Sequence, residues 1–257
     1  MRWIITNVDQ VVVVHMTSNK VNKQNEEFFA DLHDAFDRVE AVAEPAAIVL
    51  RGQGRVFSAG LDFHHVFPLF GRGDPAEVGS WFGRFSQALL RVFNYRYPTV
   101  AAINGHAIAG GLILALCCDH RVAAAGPFTY GLNEVPIGIP MPSLFAELLR
   151  FRLGSAVATR VALTGELYTG KRALELGFFE ELVDQHNLMS RACAAAIRTP
   201  VSAMDAYAHS KRMLQAPVTR YIDYESRALD AETFRVVSSD RSKCARALAV
   251  KRLKPQS

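Results

Sequence analysis

The run from Ile108 to Cys118, "IAGGLILALCC", carries no charged side chain and opens on the glycine pair Gly110-Gly111. It is too short to cross a bilayer, which takes about 20 apolar residues. A helix that is apolar all round must instead be enclosed by protein on every side. The chain therefore has to build layers around it, and the glycine pair lets another backbone or a ligand approach closely. Acid, base and nucleophile are all missing from the run, so any chemistry at the glycines has to be supplied from elsewhere.

The rest of the chain can supply such layers. It has 257 residues, 50% hydrophobic and 21% charged, enough for one large domain or a core with an appendage. A net charge of +4, with no basic stripe interleaved by aromatics, argues against a nucleic-acid partner. No apolar run reaches 18 residues, so no membrane span is expected. The start, "MRWIITNVDQVVVVHM", lacks a signal peptide's continuous apolar core, and the ending "KPQS" is no peroxisomal address. Four scattered cysteines, with Cys117-Cys118 reading as small buried hydrophobes, imply a reducing, cytoplasmic setting.

Read along its length, the first half alternates between strands and helices. "WIITNVDQVVVVHM" reads as a hairpin, and "NEEFFADLHDAFDRVEAV" as an amphipathic helix that Pro45 ends. "AAIVLR" is a buried strand that leads into the glycine-rich loop "GQGRVFSAGLDF". The segment from His64 to Pro75 has no clear pattern, and a helix follows around "SWFGRFSQALLRVF". "PTVAAI" is a second buried strand, "NGHAIAGG" a loop into the apolar helix, and "DHRVAAA" a short strand. This is an α/β pattern with mostly parallel strands. After Pro142 the sequence reads as mainly helical, including one long stretch from Thr219. The compositional shift divides the chain into a core, residues 1–197, and a helical region, residues 198–257.

Several common sites are missing. There is no P-loop, "GQGRVF" and "GRGDPA" lack the third glycine of a dinucleotide fingerprint, and Val56 stands where a nucleophile elbow around Ser58 needs its first glycine. His64-His65 have no suitably spaced partners, so no metal is expected. Two strand-then-glycine loops remain, Phe57–Asp62 after "AAIVLR" and Ala107–Gly111 after "PTVAAI". In an open parallel sheet, loops at the carboxyl ends of strands form the ligand crevice. One peptide N–H from each loop could converge on a single oxygen, and the second loop opens a helix whose N-terminus favours negative charge. Glycine loops of this kind are also common tight turns.

"FSAGLDF", "AINGHAIAGGLILALCCDHRVAA" and "YGLNEVPIGIP", in this order and spacing, resemble the crotonase, or enoyl-CoA hydratase/isomerase, superfamily. "LTGELYTGKRALELGFFEELVD" and "SSDRSKCARALAVKR" extend the resemblance over most of the chain. It implies a spiral of β-β-α units with a helical C-terminal trimerisation region, assembled as a homotrimer or a dimer of trimers. It also implies acyl-CoA substrates, no cofactor beyond the coenzyme A that the substrate carries, and an enolate held by the backbone N–H groups of Leu61 and Gly110. Ala59, Gly60, Asp62 and Gly111 fall in the substrate-binding loops. Lys20 and Lys251 match basic positions that meet coenzyme A phosphates, although Leu248 and Lys243-Cys244 depart from the family pattern near the C-terminus.

Hydratases of the family use two glutamates. Here Ile113 stands at the position of one and Glu134 at the other. Adding water across a double bond is served by two carboxylates, whereas moving the bond needs one base that takes a proton from C2 and returns it to C4. Apolar neighbours Val135, Pro136, Ile137 and Ile139 are expected to bury Glu134 and raise its pKa. "GLNE", "FSAGLD" and Val21-Asn22 resemble the mitochondrial-type Δ3,Δ2-enoyl-CoA isomerases in particular. Isomerase chemistry on Glu134 is thus the expectation. A hydratase using Glu134 alone, a thioester hydrolase and a catalytically silent acyl-CoA-binding scaffold are the alternatives. Asp119 reads as structural, and Glu147 as a weak second acid.

Overall fold

A computed structural model describes residues 3–8, 10–41, 46–72 and 74–253. The strands are β1 (Ile4–Val8), β2 (Val11–His15), β3 (Lys23–Gln24), β4 (Ala47–Arg51), β5 (Val56–Ser58), β6 (Gly60–Leu61), β7 (Thr99–Ile103), β8 (His106–Ile108), β9 (His120–Ala124), β10 (Thr129–Gly131), β11 (Leu167–Thr169) and β12 (Glu181–Val183). The helices are α1 (Glu26–Glu40), α2 (Phe63–Arg72), α3 (Pro75–Phe93), α4 (Gly110–Cys117), α5 (Ser143–Thr164), α6 (Gly170–Glu175), α7 (Leu188–Ala196), α8 (Met204–Arg220), α9 (Arg227–Val237) and α10 (Asp240–Leu253).

β1 and β2 form the expected hairpin, with Ile4 opposite His15. Beyond it the strands are dealt alternately to two sheets. β4, β7 and β9 enter a six-stranded sheet of order β1-β2-β4-β7-β9-β12, while the strand after each, β5, β8 and β10, enters a four-stranded sheet of order β11-β10-β8-β5. Both series run parallel. Each turn of the chain thus adds one strand to each sheet before a helix returns it, which is a spiral of β-β-α units. Parallel strands covered on both faces read as unbroken apolar runs, and Ile48–Leu50 and Val100–Ile103 are buried throughout. α4 lies against α3 and α5, and Leu112–Cys118 have no exposed surface. The enclosure demanded by its sequence is met.

Two local expectations are corrected. The segment from His64 to Pro75 contains helix α2, whose Val66, Leu69 and Phe70 face inward while His64, His65 and Pro68 lie outside. The "NGHAIAGG" loop contains strand β8. The half after Pro142 is mainly helical, as expected, and its two short strands, β11 and β12, add one strand to each sheet. The α1 helix starts at the Asn25 cap, which accepts the Phe28 N–H, and ends at Glu40; Pro45 lies outside the described residues. Among the described residues no helix is long and apolar enough to cross a membrane.

The C-terminal helices are tied to the core through Asp119. Its Oδ2 accepts from the Thr99 N–H, from Tyr207 Oη at 2.9 Å and from Lys211 Nζ at 2.6 Å, which fastens α8 to the end of α4. Further on, Phe234 of α9 stacks on Phe82 of α3 at 5.3 Å, and Asp230 accepts the Ser143 N–H at 2.9 Å. α10 then lies on the turn that follows Glu134.

Candidate active site

Three neighbouring parallel strands of the four-stranded sheet, β5, β8 and β10, end side by side. Beyond their carboxyl ends come Gly60-Leu61, Gly110 and Glu134, respectively. The topology gathers residues up to 74 positions apart at one end of this sheet, the end at which parallel sheets bind ligands.

The first two loops touch. Gly60 has φ +78°, and a Cβ on it would lie 2.9 Å from Ala109 Cβ and 3.0 Å from Gly110 N. Only glycine allows that contact in that conformation. Asp62 N–H donates to the Gln24 carbonyl of β3 at 3.0 Å. Successive N–H groups of an extended strand point to opposite sides, so the Leu61 N–H points away from β3. Gly110 is the first residue of α4, where an N–H has no partner within the helix. Two free donors from facing loops can polarise one carbonyl oxygen and stabilise the charge it gains on becoming an enolate.

The frame around these donors is polar and buried. Asn22, at φ +47°, sends its amide to the Phe57 carbonyl at 3.0 Å, and its own carbonyl accepts from Ser58 Oγ at 2.7 Å. Gln24 donates from Nε2 to the Gly110 carbonyl at 3.0 Å. Ser58 is fully buried in this frame, which suits the reading that it is no nucleophile. Ala109 takes φ +55°, ψ −131°, a conformation that costs a non-glycine residue about 1–3 kcal/mol, and its N–H donates to the Gly131 carbonyl at 2.8 Å. That strained peptide aims the next N–H, that of Gly110.

Glu134 is 3% exposed, and neither carboxylate oxygen has a hydrogen-bond partner. Burial pushes its pKa up to about 8, offset only in part by the nearby backbone N–H groups of Asn133 and Glu134. A carboxyl poised near neutrality can both take and return a proton. Ile113, one turn into α4, is fully buried.

The remaining predicted residues fall in different places. Asp62 starts α2, accepting the His64 N–H at 3.3 Å and the Asn25 amide at 3.3 Å. Ala59 donates its N–H to Val21, which sets the turn holding exposed Lys20 beside the first loop. Gly111 packs against the Ser58 carbonyl. Lys251 is exposed near the end of α10, whereas that helix meets the site near its start. Glu147 is ion-paired with Arg150. Gln24, Ala109 and Arg246 join the site without any motif that marks them in the sequence.

A family model described as enoyl-CoA hydratase/isomerase matches residues 6–256. The chain belongs to the enoyl-CoA hydratase/isomerase family. Among its curated relatives, mitochondrial enoyl-CoA delta isomerase 1 of Mus musculus is 32% identical over 71% of this chain and 62% of that protein. A probable enoyl-CoA hydratase of Bacillus subtilis (strain 168) is also 32% identical, over 77% of this chain and 76% of that protein. The chain spans about three fifths of the length of the mammalian isomerases it matches. The crystal structure of human mitochondrial delta3-delta2-enoyl-CoA isomerase superposes with a TM-score of 0.87 at 26% identity, covering 100% of both chains. Membership of the enoyl-CoA hydratase/isomerase family accords with the spiral fold. Similar identity to an isomerase and to a hydratase leaves the choice of reaction to the site's own residues.

Proposed function

We propose that the protein is a Δ3,Δ2-enoyl-CoA isomerase in which Glu134 is the only acid–base group. The observation that carries this reading is the Glu134 carboxylate, buried without a hydrogen-bond partner, beside which the sequence supplies an isoleucine, Ile113, where a two-glutamate hydratase has its other acid. The thioester oxygen sits between the N–H groups of Leu61 and Gly110. Glu134 removes a proton from C2, and the electron pair spreads over the dienolate held by those donors. The same carboxyl then protonates C4, leaving the double bond between C2 and C3. Water activation gains nothing from Ile113, which offers no second carboxylate to hold or deprotonate the molecule.

Hydration by Glu134 alone is the second reading, favoured by the likeness to the bacterial probable hydratase. Incubation with a 3-enoyl-CoA and, separately, a 2-enoyl-CoA, with products followed by mass, separates the two. Isomerisation moves the double bond without changing mass. Addition of water to the 2-enoyl-CoA identifies the hydratase, and release of free coenzyme A identifies a hydrolase.

A further inference from the structure

The face that α10 turns to the core is polar. Among its residues whose side chains are described, the buried ones are Ser242 and Arg246, one turn apart, whereas Leu248 and Val250 on the same helix are 51% and 36% exposed. A helix docked only for packing buries its aliphatic residues and exposes its cations. Arg246 is 3% exposed. One nitrogen, Nη1, donates to the Gly138 carbonyl at 3.4 Å, four residues beyond Glu134, while Nη2 is buried without a partner. Among the described residues no carboxylate is in ion-pair contact with it. Burial holds its pKa below the usual guanidinium value, as expected of an uncompensated cation. Glu134 is not its counter-ion, since neither oxygen of that carboxylate has a hydrogen-bond partner.

The guanidinium lies over Phe67 and Phe70 of α2, with centroids at 5.7 and 5.5 Å. α2 starts two residues after Leu61, and Phe63, Phe67, Phe70 and Phe82 form a row of ring contacts leading from that loop towards α9. Arg246 thus touches both segments that frame the candidate site, the turn after Glu134 through Gly138 and the helix after Leu61 through Phe67 and Phe70. Ring faces compensate a buried cation only in part, and a planar fork with a free N–H is matched by a carboxylate.

On the reading of the site as an acyl-CoA site, we infer that its substrate carries a carboxylate on the acyl group, and that Arg246 binds this carboxylate beside Phe67 and Phe70. The enzyme then acts on enoyl-CoAs derived from dicarboxylic acids in preference to simple alkyl ones.

The test is binding of saturated acyl-CoAs, from butanoyl to decanoyl, each paired with its ω-carboxy counterpart, to the whole protein by calorimetry. At the best-fitting length the carboxylated member binds on the order of ten- to a hundredfold more tightly, the effect of one buried charge-assisted contact. In Arg246→Met, checked for folding by circular dichroism, that ratio falls to about one. Equal binding of the two series by the wild type overturns the inference even if the variant does not fold, and so does a preference that survives in Arg246→Met. Weaker binding of free coenzyme A by the variant, equal to the loss for the carboxylated ligand, assigns the anion to a coenzyme phosphate and also overturns it. Turnover separates this inference from the one beneath it. Isomerisation of alkyl 3-enoyl-CoA without a carboxylate preference sinks only the inference. A carboxylate preference with no isomerisation of either series sinks only the isomerase reading.

Discussion

Replacing Glu134 by glutamine removes the ionisable proton while keeping the side chain's shape, and its effect on stability depends on pH in a calculable way. The folded carboxyl has a pKa of about 8, against 4.5 in an unperturbed chain. Between these values the folded protein holds a proton that the unfolded chain has lost, so wild-type stability falls as pH rises. The slope is about 1.4 kcal/mol per pH unit, and across the interval the loss reaches on the order of 5 kcal/mol. Below pH 4.5 both states are protonated and nothing is lost. Glu134→Gln has no such dependence; its buried amide costs about 1–3 kcal/mol at every pH. Urea unfolding of both proteins from pH 4 to 9, at one protein concentration, should therefore show the variant gaining on the wild type steadily between pH 4.5 and 8, then levelling off. A difference independent of pH, or a wild type that gains as pH rises, would mean that the carboxylate is paired or hydrated, and would refute the reasoning.

Other consequences follow from single residues. Gly60→Ala should keep the fold, by far-ultraviolet circular dichroism, yet lower kcat by on the order of 10²–10³, because its Cβ meets Ala109 and displaces one donor; near-normal kcat would show that the two loops need not touch. Ala109→Gly should be neutral or stabilising by up to ~1 kcal/mol in thermal unfolding, against the usual cost of glycine in helical surroundings, since φ +55° strains alanine. Destabilisation by ~1 kcal/mol would mean that the residue is not strained. Asp119→Ala should destabilise by on the order of 3–5 kcal/mol in urea unfolding, because Lys211 is left buried without its partner. A loss below ~1 kcal/mol would show that α8 is held by other contacts.

The spiral was legible where chemistry repeats along the chain. Val11–Val14, Ile48–Leu50 and Val100–Ile103 are continuous apolar runs because parallel strands are covered on both faces. β8, β11 and β12 are three residues each, too short to show any period. α2 was hidden because His64, His65 and Pro68 interrupt a stripe of Val66, Leu69 and Phe70 that its first turns bury. At the site, Gly60, Leu61, Gly110 and Glu134 were readable from glycine placement and from resemblance. Gln24 and Arg246 were not, because each gains its meaning from a contact made across the fold, at sequence separations of 86 and 108. Ala109 carries no signal in the sequence, because alanine does not mark a positive φ as glycine does.

The central assignment is that one carboxyl, shielded from water, carries one proton from C2 to C4. A 3-enoyl-CoA deuterated at both C2 positions tests it directly, by locating the label in the 2-enoyl product with mass spectrometry and NMR. A single-carboxyl shuttle delivers the abstracted deuteron to C4, so the product keeps the substrate's mass with one label moved, and Glu134→Gln yields none of it. A product that has lost one deuteron wholly to solvent, one that has gained water, or one formed at an undiminished rate by Glu134→Gln would contradict the assignment.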